Sequence, residues 1–311
     1  MKHVTQLFLA THPGPSLAVT TVTLVLALTA GLPADRVVIV TLAMLANQFS
    51  IGLSNDWRDA ARDTRASRSD KPLAAGLLSP TLVRNVAFAC VVISLGLSAW
   101  LGVWVLLAQV IGIASGWIYN LGAKATAFSP VPYVVGFGIL PVIVCLASPT
   151  GSLGATAPLV AVGIIAAPVF AAPWVIAVAA VLGVAAHFAN AMPDIEVDLA
   201  EGILGLPQRV GARASGIITY IVLLLGATIA FFGPGGAVSL AQWIGLGVNV
   251  VIAAIGILLV TRRSSQKDLQ KATGLFSPEP SAPTRLAFQL IMVAALANVV
   301  MIAVAGTKIL A

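Results

Sequence analysis

Apolar residues run along this chain in continuous stretches, separated by short polar intervals, and do not alternate as in a half-buried strand. About twenty apolar residues in a helix cross a hydrocarbon core. Read this way, the chain predicts nine transmembrane helices, at 15–32, 36–54, 82–101, 103–121, 129–148, 172–193, 213–233, 239–260 and 286–307. A membrane β-barrel would need short alternating segments instead. The apolar stretch 156–171 is broken by Pro158 and Pro168. It reads as a hydrophobic loop or half-helix, because a tenth crossing would invert everything after it.

Composition strengthens the membrane reading. Of 311 residues, 59% are hydrophobic and 9% charged, with a mean hydropathy of +1.01, whereas soluble domains carry about 25% charged residues. Cys90 and Cys145 lie inside apolar runs, with no metal-like or disulfide-like spacing around them. The first fourteen residues hold Lys2, His3, His12 and Pro13 but no separate apolar core, so no cleavable leader is expected.

The formal charge of +6 could suggest a nucleic-acid partner, but the placement of the basic residues points to the bilayer. With the N-terminus in the cytoplasm, the inside segments are 1–14, 55–81, 122–128, 194–212 and 261–285. These segments and the helix ends bordering them hold 15 of the 17 Lys and Arg residues, all but Arg36 and Lys308. That asymmetry is the positive-inside pattern. It predicts an integral protein of the plasma membrane and no nucleic-acid partner.

Acidic residues gather on the same side, which orientation does not explain, since they contribute little to it. Eight of the eleven fall in two windows: Asp56, Asp59, Asp63 and Asp70, then Asp194, Glu196, Asp198 and Glu201. The windows share one pattern. Asn55-x-x-x-Asp59-x-x-x-Asp63 returns 135 residues later as Asn190-x-x-x-Asp194-x-x-x-Asp198, at the ends of the second and sixth spans, which run in the same direction. Positions i, i+4 and i+8 drift little around a helix, so each motif is expected to present its side chains on one face, which Asp56 joins in the first.

Such clustering is costly. Like charges at i, i+4 repel, carboxylates near a bilayer are disfavoured, and a helix C-terminus disfavours negative charge. A compensating cation is expected. Oxygen-only donors suit Mg²⁺ or Ca²⁺, and Mg²⁺ commonly completes its shell with waters and substrate phosphates. The bland alternative is a solvated loop in which Arg58, Arg62, Arg65 and Arg68 neutralise the first window; two windows matched in spacing and depth argue against it.

Candidate phosphate-binding groups lie on the same side. Arg68 and Lys71 follow the first motif, Arg209 follows the second, and Tyr119 and Lys124 lie between the fourth and fifth spans. Arg and Lys neutralise phosphate oxygens, and Tyr can hydrogen-bond one. Trp117, Tyr133 and Phe137 are either cavity-lining or packing aromatics. His187 is either a cavity-facing group or a packing histidine. Asn47 and Gln48 on the second span are expected to face the interior.

Together these residues resemble the UbiA superfamily of intramembrane prenyltransferases. Asn55, Asp56, Asp59 and Asp63 match its first acidic motif; Lys71-Pro72-Leu73-x-x-Gly76 matches its basic segment, with Lys where Arg is usual. Tyr119 and Lys124 match its Tyr–Lys pair, one residue further apart than in some members, and Asn190, Asp194 and Asp198 match its second acidic motif. The resemblance implies one all-α domain over 1–311: nine transmembrane helices around a central cavity, capped on the cytoplasmic side, in two parallel half-repeats of four helices. It implies Mg²⁺ held by Asp56, Asp59, Asp63, Asp194 and Asp198. The diphosphate of an allylic prenyl substrate would be bound by Asn55, Arg68, Lys71, Tyr119, Lys124, Asn190 and Arg209. The activity implied is prenyl transfer to a lipophilic acceptor at the cytoplasmic face. A membrane terpene cyclase is the alternative within the family. A cation-coupled transporter is the alternative outside it, disfavoured because the carboxylates lie at helix ends, away from the midplane.

Overall fold

The structure is a computed structural model, and it describes residues 2–65, 71–149, 168–273 and 282–311. Eleven α-helices occur among them: α1 (Lys2–Leu9), α2 (Pro13–Thr29), α3 (Ala34–Arg65), α4 (Pro80–Leu101), α5 (Val103–Leu121), α6 (Val131–Leu146), α7 (Pro173–Ala191), α8 (Ile195–Ala200), α9 (Leu206–Phe232), α10 (Leu240–Thr273) and α11 (Ala282–Val304). Single 3-10 turns cover Ala123–Ala125 and Gly306–Ile309. No strand occurs among the described residues beyond an isolated bridge of Ala171 with Leu310. Every predicted span overlaps a helix. The stretch 156–167, most of the predicted hydrophobic loop, lies outside the described residues, as do Arg68 and Asp70.

Among the described residues six helices are long and apolar enough to cross a membrane: α3, α4, α5, α7, α9 and the Leu240–Arg262 part of α10. Three shorter apolar segments lie in α2, α6 and α11. Only 22% of the most apolar stretch of α4, and the same share for α10, is buried. Large side chains such as Val92, Ile93, Trp100, Ile244 and Val251 point outward. Apolar surface on this scale is stable only when hydrocarbon replaces water around it. The chain is an integral membrane protein.

Helix boundaries follow local chemistry. The Ser79 hydroxyl accepts from the Leu82 N–H at 3.2 Å and Pro80 opens α4, a side-chain cap followed by a proline that needs no donor. Gly102, at φ 136°, separates α4 from α5. In α9 the backbone leaves helical geometry at Gly211 (φ 81°), so the long apolar part begins beyond it, as the predicted span at 213–233 required.

The helices sort into two compact units. The first holds residues 1–122, 139–176 and 306–311. Within it α3 packs against α2, α4 and α5. Polar side chains inside it bond to one another: Ser94 donates to the Ala43 carbonyl at 2.8 Å, and Gln109 donates to Ser94 at 2.9 Å. Asn47 is buried as expected, and Gln48 is half-buried. Arg36, one of the two basic residues outside the inside segments, donates to the Ala147 carbonyl just past α6 at 2.8 Å.

The second unit holds residues 123–138 and 177–305. Its core joins Ala185 and Ala189 of α7, Tyr220 and Leu223 of α9, Ile252 and Ala253 of α10, and Ile291 and Ala294 of α11. Each unit carries one of the two acidic motifs.

Candidate active site

In the first unit α3 does not stop where its apolar run ends. It continues to Arg65, so the first motif occupies its last turns. Helical spacing places Asp56, Asp59 and Asp63 on the buried side, at 2%, 7% and 3% exposure, while Arg58 and Arg65 point outward. The Arg58 guanidinium lies 5.9 Å from the Trp57 ring centroid.

Buried carboxylates need charge partners and hydrogen bonds, and these have them. Lys71 Nζ lies 2.8 Å from Asp63 Oδ2 and 3.3 Å from Asp56 Oδ1. Arg62 donates to Asp59 Oδ2 at 3.0 Å and lies 3.7 Å from Asp63 Oδ1. His12 Nε2 is 2.9 Å from Asp56 Oδ1. Burial by itself would lower the pKa of the Lys71 ammonium. The charges of Asp56 and Asp63, with the hydrogen bond to Asp63, outweigh it and hold the pKa above the ordinary lysine value. Among the described residues, Arg62 is the predicted neutralising arginine with a carboxylate within these contacts. His12 had no assigned role in the sequence reading.

The second motif departs from the expected geometry. The helical-face argument assumed one continuous helix through 190–198, but α7 ends at Ala191 and α8 begins at Ile195. Pro193 supplies the reason: it has no N–H to continue the helix and disfavours helical geometry at Met192. Asn190 therefore lies in the last turn of α7, Asp194 stands in the turn that follows, and Asp198 sits on α8. The assumed electrostatic cost also changes, because Asp194 and Asp198 lie at the start of a helix, not at its C-terminus. Both are half-buried, and Asn190 is exposed.

The start of α9 organises this half. Gln208, 7% exposed, donates to Asp198 Oδ2 at 2.7 Å. The Leu206 N–H donates to the Ser129 hydroxyl at 2.9 Å, and Ser129 Oγ lies 3.0 Å from His187 Nε2. A Cβ on Gly205 would lie 2.5 Å from the Lys124 carbonyl oxygen and 2.6 Å from Gln208 Oε1. Only glycine lets these segments meet there. His187 is thus a buried structural partner of Ser129. Its ring packs 4.9 Å from that of Tyr133, which stacks on Phe137 at 6.1 Å. Asn190 donates to the Tyr133 hydroxyl at 3.4 Å.

The remaining predicted residues fall as follows. Asn55 is half-buried on α3, and Tyr119 is half-buried on the last turn of α5. Lys124 is half-buried in the 3-10 turn that follows. Arg209 is exposed and donates through Nε to the Leu204 carbonyl at 2.7 Å. Trp117 packs on Phe88 at 5.1 Å and donates to Ser50 at 3.3 Å, a packing arrangement. Among the described residues, no three Asp, Glu, His or Cys side chains converge as a ready-made metal cluster. The donor chemistry nevertheless fits a hard cation. Three buried carboxylates share a helix face, and their present partners include side-chain cations that can yield to a metal.

An all-helical membrane protein with buried, cation-paired carboxylates at one helix end has the features of an intramembrane enzyme acting on a charged, lipid-soluble substrate. Residues 16–277 match the model of the UbiA prenyltransferase family, and the chain belongs to that family. Over 223 residues it is 26% identical to the protoheme IX farnesyltransferase of Novosphingobium aromaticivorans, covering 69% of this chain and 67% of that one. The fold is similar to the apo structure of a UbiA homologue from Aeropyrum pernix K1 (TM-score 0.64, 16% identity, 94% of this chain and 98% of that one). It is also similar to a UbiA homologue from Archaeoglobus fulgidus bound to geranyl diphosphate (GPP) and Mg²⁺ (TM-score 0.54, 14% identity, 96% and 99%). The protein is a prenyltransferase.

Proposed function

We propose that the protein catalyses Mg²⁺-dependent transfer of a prenyl group from an allylic prenyl diphosphate to an aromatic, quinone-precursor or other lipophilic acceptor, with release of diphosphate. The observation that carries this reading is the burial of Asp56, Asp59 and Asp63 on one face of α3 with Lys71 against two of them. The family's Archaeoglobus fulgidus member, solved with GPP and Mg²⁺, supports the substrate class.

In this reading Asp56, Asp59, Asp63, Asp194 and Asp198 hold Mg²⁺. When bound, Mg²⁺ supplies neutralisation of the negative charge that grows on the leaving diphosphate. Lys71 is paired with Asp56 and Asp63 before substrate arrives, and it can exchange a carboxylate for a diphosphate oxygen. Arg68, Lys124 and Arg209 add positive charge around the diphosphate, and Tyr119, Asn55 and Asn190 offer hydrogen bonds to it. Such groups stabilise the charge that develops as the allylic C–O bond breaks and its electron pair passes to the diphosphate. The acceptor then bonds to the allylic carbon and loses a proton. The apolar helices keep water from the carbocation and suit a prenyl tail. The basic-residue asymmetry supports a plasma-membrane enzyme with this site on the cytoplasmic side.

Purified protein supplied with prenyl diphosphates from C10 to C20 and longer, with and without phenolic and quinone-precursor acceptors, tests the proposal by product mass. The expected result is Mg²⁺-dependent diphosphate release with a product equal to acceptor plus prenyl group. A cyclised hydrocarbon formed without acceptor would overturn the transfer step. Asp59→Ala and Asp194→Ala should each abolish turnover while the protein still melts cooperatively; full activity in either would remove that residue from the site.

A further inference from the structure

We propose that His12 is a positioning residue that sets the orientation of Asp56 for metal binding; the proposal rests on the reading of Asp56 as a Mg²⁺ ligand. Its Nε2 lies 2.9 Å from Asp56 Oδ1. The second polar contact of Asp56, from Lys71 at 3.3 Å, falls on the same oxygen. Two groups thus hold one oxygen of a carboxylate that is 2% exposed, and in this reading Oδ2 is the oxygen left for a cation. Ligating carboxylates are commonly oriented by an outer hydrogen-bond partner in this way.

The backbone around His12 is built to place the ring there. His12 is the one non-glycine residue with positive φ among the described residues (φ 52°, ψ 64°), and Pro13 follows it. A left-handed conformation at a β-carbon-bearing residue is disfavoured and persists only where its surroundings impose it. The surroundings are on hand. The Ser16 hydroxyl donates to the Thr11 carbonyl at 2.8 Å, the Thr11 hydroxyl donates to the Phe8 carbonyl at 2.7 Å, and the His12 N–H donates to the Leu9 carbonyl at 3.1 Å. On α3, Gly52 lies one turn before Asp56, and a Cβ there would strike the Thr11 backbone. The missing side chain lets the α1–α2 corner press onto α3 beside the motif. Ala10 and Leu73 share one buried cluster with Leu53. The corner that carries His12 and the segment that carries Lys71 are therefore anchored to the same apolar core, and both reach one carboxylate oxygen.

The test uses the full-length purified chain and Mn²⁺ alone, with free Mn²⁺ read by electron paramagnetic resonance. His12→Gly keeps the left-handed corner and removes the imidazole. His12→Gln restores an N–H donor close to the position of Nε2. The expected result is about tenfold weaker Mn²⁺ binding for His12→Gly, the low end of the range for outer-shell changes, with His12→Gln recovering most of the loss. In turnover, the Mg²⁺ concentration for half-maximal diphosphate release should rise in His12→Gly, while KM for geranyl diphosphate at saturating Mg²⁺ stays unchanged. Wild-type Mn²⁺ affinity in His12→Gly, or His12→Gln as weak as His12→Gly, would overturn the role of His12. Asp56→Asn is the separate control: if it binds Mn²⁺ like the wild type, or if the wild type binds none, the metal reading itself fails.

Discussion

Lys71 stands where a cation is needed, between the carboxylates of Asp63 and Asp56, with only 14% of its side chain exposed. Its removal leaves two buried carboxylates with less charge than they need, and breaking such a pair costs about 3–5 kcal/mol. Lys71→Met should therefore lower the stability of the metal-free protein by about 3 kcal/mol, the lower end of that range, measured as a fall in melting temperature in detergent. Lys71→Arg keeps the charge and should retain most of the stability. The aspartates themselves could be found from spacing, because helical period alone puts Asp56, Asp59 and Asp63 on one face. Their partners could not. His12 and Asp56 are 44 positions apart, and no periodicity links them. Gln208 carries no charge to mark it in a sequence, and its role depends on where the turn before α9 brings it.

Helix continuity separates the two motifs. The spacing N-x-x-x-D-x-x-x-D reads the same twice, but helical period places side chains only where the helix persists. Met192-Pro193-Asp194 ends it, and that proline was visible in the sequence; equating spacing with a face obscured its effect. Pro193→Ala should let α7 run on through Asp194 and turn Asp198 away from Gln208. We expect diphosphate release to fall by at least tenfold with little loss of stability, since a helix-compatible residue replaces a helix breaker. Gly205 is the second place where an element boundary fixes the local geometry. Gly205→Ala would push against the Lys124 carbonyl and the Gln208 amide, and overpacking of this kind costs about 1–3 kcal/mol. Thermal melts and turnover should fall together in that variant.

The class of the molecule was legible in its apolar periods, since crossing a bilayer demands long unbroken helices. Helix ends were read less well. α3 runs past its apolar stretch because Asp and Arg residues continue a helix without being apolar, and a hydropathy reading stops at the last greasy residue. The division into two units left no mark in the sequence beyond the repeat of the motif. Orientation is open to direct test. In a background with Cys90 and Cys145 replaced by Ala, Ala75→Cys should react with an impermeant maleimide only from the cytoplasmic side of sealed vesicles. Val238→Cys should react only from the other side. The reverse pattern would overturn the topology and place both motifs on the outer face.

The counter-charges of the first motif have a consequence for how the protein is made. Arg62 and Lys71, which pair with Asp56, Asp59 and Asp63, and His12, whose imidazole contacts Asp56, are all encoded before residue 72. A nascent chain leaving the ribosome therefore carries a nearly self-neutral α3 terminus before the second motif has been translated. Laying that end at the lipid boundary then needs neither metal nor substrate, so membrane insertion can precede, and be independent of, loading of the active site.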